Sequence, residues 1–158
     1  MPNYLKDSYE SKFVEPVTDF VAIPNLSPAY DDTFFENGQI DRAIEYVISH
    51  AKSLNLDNIS FHIERGSSED KTCPPLVCIV LESTQNINPH NKNVMIYGHL
   101  DKQPHLTEQW SEGLHPFKPV LKNDRLYGRG AADDGYAVFA ALLAVRYNNP
   151  NNVNNLKI

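Results

Sequence analysis

Three side chains in this sequence have the types and spacing for metal-assisted chemistry: His99, Asp101 and Asp133. His99 and Asp101 stand two residues apart, just after the apolar run Val94-Met95-Ile96-Tyr97 and a break at Gly98. In extended chain, side chains two apart share one side, so an imidazole and a carboxylate at this spacing are neighbours. A metal-binding histidine needs such a neighbour: one ring nitrogen faces the ion while a carboxylate takes the other N–H and fixes the tautomer. By itself the spacing also suits an ordinary hydrogen-bonded histidine at a strand end. Asp133 falls in Gly128-Arg129-Gly130-Ala131-Ala132-Asp133-Asp134-Gly135, in or before the first turn of a helix, where acidic side chains are favoured. A helix N-cap accounts for Asp133 as readily as a ligand does.

Other candidates carry less. The Gly128-x-Gly130 pair lacks both the full G-x-G-x-x-G pattern and the lysine of a P-loop, and two aspartates occupy the place an anion would need. Arg129 could meet a substrate carboxylate or an internal partner. Trp110 and Phe117 read as loop anchors, and His105 and His115 as surface residues of the same loop. His50, His62 and His90 carry no signal.

The elements that must position these residues follow from periodicity. Leu5, Tyr9, Phe13, Val17, Phe20 and Val21 predict an amphipathic helix within residues 3–22, bent or stepped at Pro16. Asn25 to Asn37, with the acidic pair Asp31-Asp32, reads as a loop. Ile40, Ala43, Ile44, Val47, Ile48, Ala51 and Leu54 fall on one face of a second helix, broken at Asp57-Asn58. Ile59, Phe61 and Ile63 alternate with polar residues as a half-buried strand, and Leu76 to Leu81 is an apolar run of strand length. Polar connections follow each of these strands, at 66–75 and around Pro89-His90-Asn91. The run at Val94 reads as a central strand covered on both faces. A long irregular stretch, 102–123, follows Asp101, and a loop of that length in a compact domain is usually functional. Tyr136 to Val145 predicts a helix buried against a sheet. After an Asn-rich loop at 148–152, Asn155 to Ile158 begins another strand. The alternation defines an α/β fold, a three-layer sandwich with a mixed sheet flanked by helices. A chain of this class that stops on the first residues of a strand reads as cut, with an exposed strand edge prone to self-association.

At 158 residues the chain is enough for one domain, and its 41% hydrophobic and 22% charged content are those of a globular protein. A formal charge of −6 with no Lys/Arg run argues against nucleic acid and anionic membrane as partners. No apolar run approaches membrane-spanning length and no secretory signal is visible at the N-terminus. Cys73 and Cys78 are too few for a disulfide framework and are expected as reduced thiols of a cytoplasmic protein.

Taken together, Tyr97-Gly98-His99-Leu100-Asp101-Lys102-Gln103-Pro104, Trp110, Pro116-Phe117-x-Pro119 and Asp124 to Asp134 resemble the co-catalytic zinc peptidases that include carnosinase, glutamate carboxypeptidase, aminoacylase and succinyl-diaminopimelate desuccinylase. The resemblance is strong over residues 94–146. It implies that His99 is a terminal ligand of one zinc, that Asp101 orients its imidazole, and that Asp133 bridges two zincs before a cis peptide to Asp134. It implies hydrolysis of the amide bond of a dipeptide or N-acyl amino acid, with two Zn²⁺ ions in the complete active site. It also implies a general-base glutamate, further ligands and a lid or dimerisation domain beyond the matched stretch, in a parent compatible with a homodimer. On that basis residues 1–158 are the N-terminal portion of a catalytic domain, binding zinc weakly or not at all and expected to be inactive alone. The alternative is a non-catalytic truncated partner that associates with a full-length copy. Gly135-Tyr136 stands where many members have Lys-Gly, which bears on subfamily and substrate rather than on the metal.

Overall fold

The structure, a computed structural model, describes residues 9–66, 73–82 and 93–147, together with the backbone of 156–157. The start of the first helix at Leu5, the middle of the 66–75 connection, the Pro89-His90-Asn91 loop and the Asn-rich loop at 148–152 lie outside these residues.

Helical backbone begins as a π turn, Glu10–Val14, and passes directly into α1, Glu15–Val21. The step anticipated at Pro16 is this change of helical geometry. Proline is tolerated there because the first turn of an α-helix has no use for its missing N–H. Helix α2, Gln39–Ser53, buries Ile40, Ala43, Ile44, Val47 and Ala51 along one face, as the periodicity required. It ends earlier than Asp57-Asn58: Asn55 already has a positive φ of 49° and turns the chain out of the helix.

Strands β1, Ile59–Glu64, and β2, Leu76–Leu81, pair antiparallel, with Ile59 opposite Leu81 and Phe61 opposite Ile79. These inward residues join Val17, Phe20, Val21, Val47, Phe139 and Leu142 in one core cluster. Phe20, Phe139 and Leu142 are fully buried, and truncating such an aromatic to alanine costs about 3–5 kcal/mol. The opposite sheet face carries Ser60, His62 and Cys78, exposed or half-buried. Strand β3 is Val94–Met95 and β6 is Leu156–Lys157, with β6 lying between β2 and β3 in the order β1-β2-β6-β3. Because β6 runs antiparallel to β2 and parallel to β3, the sheet is mixed. The fold is therefore α/β with helices packed on a mixed sheet, and the strand expected at 155–158 is the one that joins β3 to the rest.

Two expectations are corrected. The Val94 run is not a central strand covered on both faces. β3 is two residues long at the sheet edge, and Met95 and Tyr97 are 79% and 80% exposed. Among the described residues only β6 pairs with it, so an apolar run that reads as doubly buried has one open flank. The 102–123 stretch is also more ordered than an irregular loop. It holds a 3-10 turn, Thr107–Gln109, and its end enters a hairpin of β4, Val120–Lys122, and β5, Arg125–Tyr127. The two hairpin residues, Asn123 and Asp124, have φ of 52° and 57°, the positive values a type I′ turn requires.

Helix α3, Tyr136–Tyr147, buries Phe139, Ala141, Leu142 and Val145. Its Arg146 donates from Nη1 to the Leu54 carbonyl at 2.5 Å, satisfying an end carbonyl of α2 and fastening the two helices together. The order of elements thus delivers two loops to one place: residues 98–102 after β3, and 128–135 before α3.

Candidate metal centre

The first loop is held by backbone pairing to the segment after α1. Lys102 N donates to Asn25 O and Ser27 N donates to Lys102 O, both at 2.9 Å. The buried Asn25 adds its side-chain amide to Leu100 O at 2.8 Å. His99 and Asp101 are therefore carried on a stretch pinned from one side along its length, which restricts the imidazole before any ligand arrives.

Lys102, whose role composition and spacing did not reveal, is only 1% exposed. Its Nζ donates to the carbonyls of Phe20, Val21 and Ile23 at 2.8, 3.3 and 2.5 Å, at the C-terminal end of α1. It also lies 4.3 Å above the Phe20 ring. Burial pushes the amine down to about 7, while the three carbonyls, the helix C-terminus and the aromatic face favour its protonated form. A lone lysine after a histidine-aspartate pair normally reads as a solvated charge, so sequence offered no signal for this arrangement.

The second loop packs on the same end of α1. A Cβ at Gly135 would lie 2.5 Å from the Phe20 ring and 2.5 Å from Gly130 O, so only glycine fits beneath α3. Gly130, at φ +83°, lies against the Lys102 stem. Gly135 N donates to Gly130 O at 3.1 Å, closing the turn that presents Asp133, and the peptide from Asp133 to Asp134 is cis.

His99 and Asp133 meet across this junction. His99 Nε2 is 3.3 Å from Asp133 Oδ1, and His99 Nδ1 is 2.9 Å from the Asp101 carbonyl and 3.2 Å from its Oδ1. The neighbour expected for the imidazole is thus Asp101, with its backbone oxygen nearer than its carboxylate. Burial disfavours the His99 cation, but the Asp101 carbonyl and carboxylate and the Asp133 carboxylate outweigh it and hold the pKa above 6.5. The side chains of His99 and Asp133 are 33% and 64% exposed, so the pair opens to solvent. A small apolar cavity of about 60 Å³, lined by Val47, Ile79, Ile96, Leu100 and Val138, backs the imidazole.

The pair fits a divalent ion. Two ligands of a tetrahedral zinc at 2.0–2.1 Å stand about 3.3 Å apart, the spacing between Nε2 and Oδ1, and an imidazole with a carboxylate is a zinc-type donor set. Among the described residues no group of three or more His, Cys, Asp or Glu side chains converges on one point. Of the remaining candidates, Trp110 is the loop anchor expected, its Nε1 donating to His105 O at 2.9 Å. Phe117 packs edge-on against His105, and the half-buried His115 accepts at Nδ1 from Phe117 N. The Arg129 guanidinium lies 5.7 Å from the Trp110 ring, and its buried Nε has no hydrogen-bond partner. His50, which carried no signal, is buried against Phe139. Cys73 and Cys78 are free. No described helix is long and apolar enough to cross a membrane.

An α/β chain thus presents a histidine and an aspartate from separate loops, at the separation two ligands of one ion would have. Residues 95–158 match the model of the peptidase family M20/M25/M40. It is 33% identical over 134 residues to Cys-Gly metallodipeptidase dug1 of Schizosaccharomyces pombe, an alignment covering 81% of this chain and 26% of that protein. It is 28% identical over 152 residues to Cys-Gly metallodipeptidase DUG1 of Candida albicans, covering 90% and 29%. The fold is that of the dipeptidase Dug1p from Saccharomyces cerevisiae, with a TM-score of 0.68 at 22% identity, and of human carnosine dipeptidase 1, with 0.70 at 23%. Each superposition covers 96% of this chain and 32% of the other. The chain thus spans a quarter to a third of the length of these relatives.

Proposed function

We propose that this chain supplies part of the active site of a zinc-dependent peptidase that hydrolyses the amide bond of a dipeptide or N-acyl amino acid. The observation that carries the proposal is the 3.3 Å approach of His99 Nε2 to Asp133 Oδ1. In this reading His99 would be a ligand of one ion, Asp133 would be shared between two, and Asp101 is the positioning residue that fixes the imidazole. A pair of bound divalent ions supplies an acidified water and polarises the scissile carbonyl. The chain's own residues hold that centre: Nδ1–H of His99 stays on Asp101, which leaves Nε2 free as a donor toward the ion. A dipeptide substrate is supported by the relatives, which are named Cys-Gly metallodipeptidases. Residues 1–158 are read as an N-terminal portion of the catalytic domain, in a cytoplasmic protein.

Catalytic zinc generally takes three protein ligands, and the described residues offer one histidine and one shared carboxylate at this point. Pure 158-residue protein is accordingly expected to bind Zn²⁺ weakly and to leave dipeptides intact. Zn²⁺ titration followed by calorimetry, with dipeptide cleavage assayed alongside, tests both points. Metal-dependent turnover by the pure chain would overturn the claim of inactivity, and Zn²⁺ binding unchanged in His99→Ala would overturn the ligand assignment.

A further inference from the structure

We infer that Lys102 is a positioning residue for the His99–Asp133 pair, acting as an internal strut through the end of α1; this rests on the metal-site reading above. Lys102 takes the carbonyls of Phe20 and Val21 from one side. The side chains of the same two residues carry the other loop: a Cβ at Gly135 would meet the Phe20 ring at 2.5 Å, and one at Gly128 would meet Val21 Cγ1 at 2.2 Å. The end of α1 is therefore gripped by the loop of His99, through Lys102, and packed by the loop of Asp133, through Gly128 and Gly135. Gly130 closes the arrangement directly, because a Cβ there would sit 2.7 Å from Lys102 Cε. His99 precedes Lys102 by three residues, and Asp133 is bracketed by Gly130 and Gly135. Removing the amine would take a donor from three carbonyls at a helix end, leaving Phe20 O its backbone partner Ile23 N and depriving Val21 O and Ile23 O of the ammonium. The 98–102 loop would then be tied only to the segment after α1, through Asn25 and Ser27, and the two site residues would lose the direct link through the end of the helix.

The test uses the full chain with two readouts. The first is the nuclear Overhauser contact between the His99 ring and the Asp133 region, recorded without metal; the second is Co²⁺ affinity. In Lys102→Met, which keeps the stem and removes the donor, the contact is expected to vanish and Co²⁺ affinity to fall at least tenfold, while the α2 and β1–β2 resonances stay in place. That range matches the 10–100-fold effect of losing the outer support of a metal ligand. Wild-type contact and affinity in folded Lys102→Met would overturn the inference. Should that variant not fold, Gly130→Ala presses on the same stem from the opposite side. A folded Gly130→Ala with unchanged contact would overturn the inference equally. His99→Ala separates the two claims: if it leaves Co²⁺ affinity intact, the metal reading fails, and the metal-free contact alone decides the role of Lys102.

Discussion

His99 Nε2 and Asp133 Oδ1 lie 3.3 Å apart although 34 residues separate them in the chain. The intervening segment leaves the sheet, forms the β4–β5 hairpin and returns to the foot of α3, so the approach is made by tertiary packing alone. At that distance a protonated imidazole can donate from Nε2 to the carboxylate, and under the proposed function the same two atoms would hold one ion.

Asp101 is expected to matter through His99. With Asp101→Ala the imidazole keeps its backbone acceptor but loses the carboxylate at 3.2 Å. Zn²⁺ or Co²⁺ affinity should fall about 10–100-fold with little change in thermal stability. Titration calorimetry beside a thermal melt checks this, and an affinity within twofold of wild type would remove Asp101 from the site.

Gly135→Ala tests the packing beneath α3. The new methyl would meet the Phe20 ring and Gly130 O, both at 2.5 Å, so overpacking should cost about 1–3 kcal/mol. At Gly98 the nearest atoms stand at 3.1 and 3.2 Å and include a side-chain carboxylate oxygen able to shift, so Gly98→Ala should cost less. Urea unfolding of the two variants gives the order, which reverses if the 128–135 loop is free to adjust.

His50 and His99 pull stability in opposite directions with pH. Burial, with Lys12 adding to it, lowers the His50 pKa below 6.5, so the unfolded chain binds this proton more readily and stability is lost as pH falls through 6.5. The His99 pKa is raised, so its contribution is full below 6.5 and fades as pH rises through its folded value. His50→Leu should therefore make the protein less acid-sensitive, and His99→Ala more so, between pH 5 and 7. Melting temperatures across that window read the sign directly.

The hairpin turn offers a stabilising change. Asp124 adopts φ 57° beside Asn123, and Asn-Gly is the favoured type I′ pair. Asp124→Gly is expected to add up to about 1 kcal/mol, or about 2–4 °C in melting temperature for a chain of this size. A drop in melting temperature would mean the Asp124 side chain makes a contact worth more than the backbone relief.

Local pattern alone determined a good deal of this protein. The apolar face of Ile40 to Ala51 makes α2 wherever it packs, and the alternation from Ile59 and the run from Leu76 make β1 and β2, because periodicity is written in consecutive residues. The family resemblance singled out His99, Asp101 and Asp133, and the fold brings His99 and Asp133 to 3.3 Å. Tertiary structure decided the rest. Whether Val94 to Tyr97 is covered depends on what lies across the sheet, and it stands at an edge. The Asn123-Asp124 turn went unread because neither residue is glycine, although both tolerate positive φ. Lys102 shows the reason most plainly: its partners are about eighty residues upstream, and a lysine becomes a buried strut only where folding gathers three carbonyls around it.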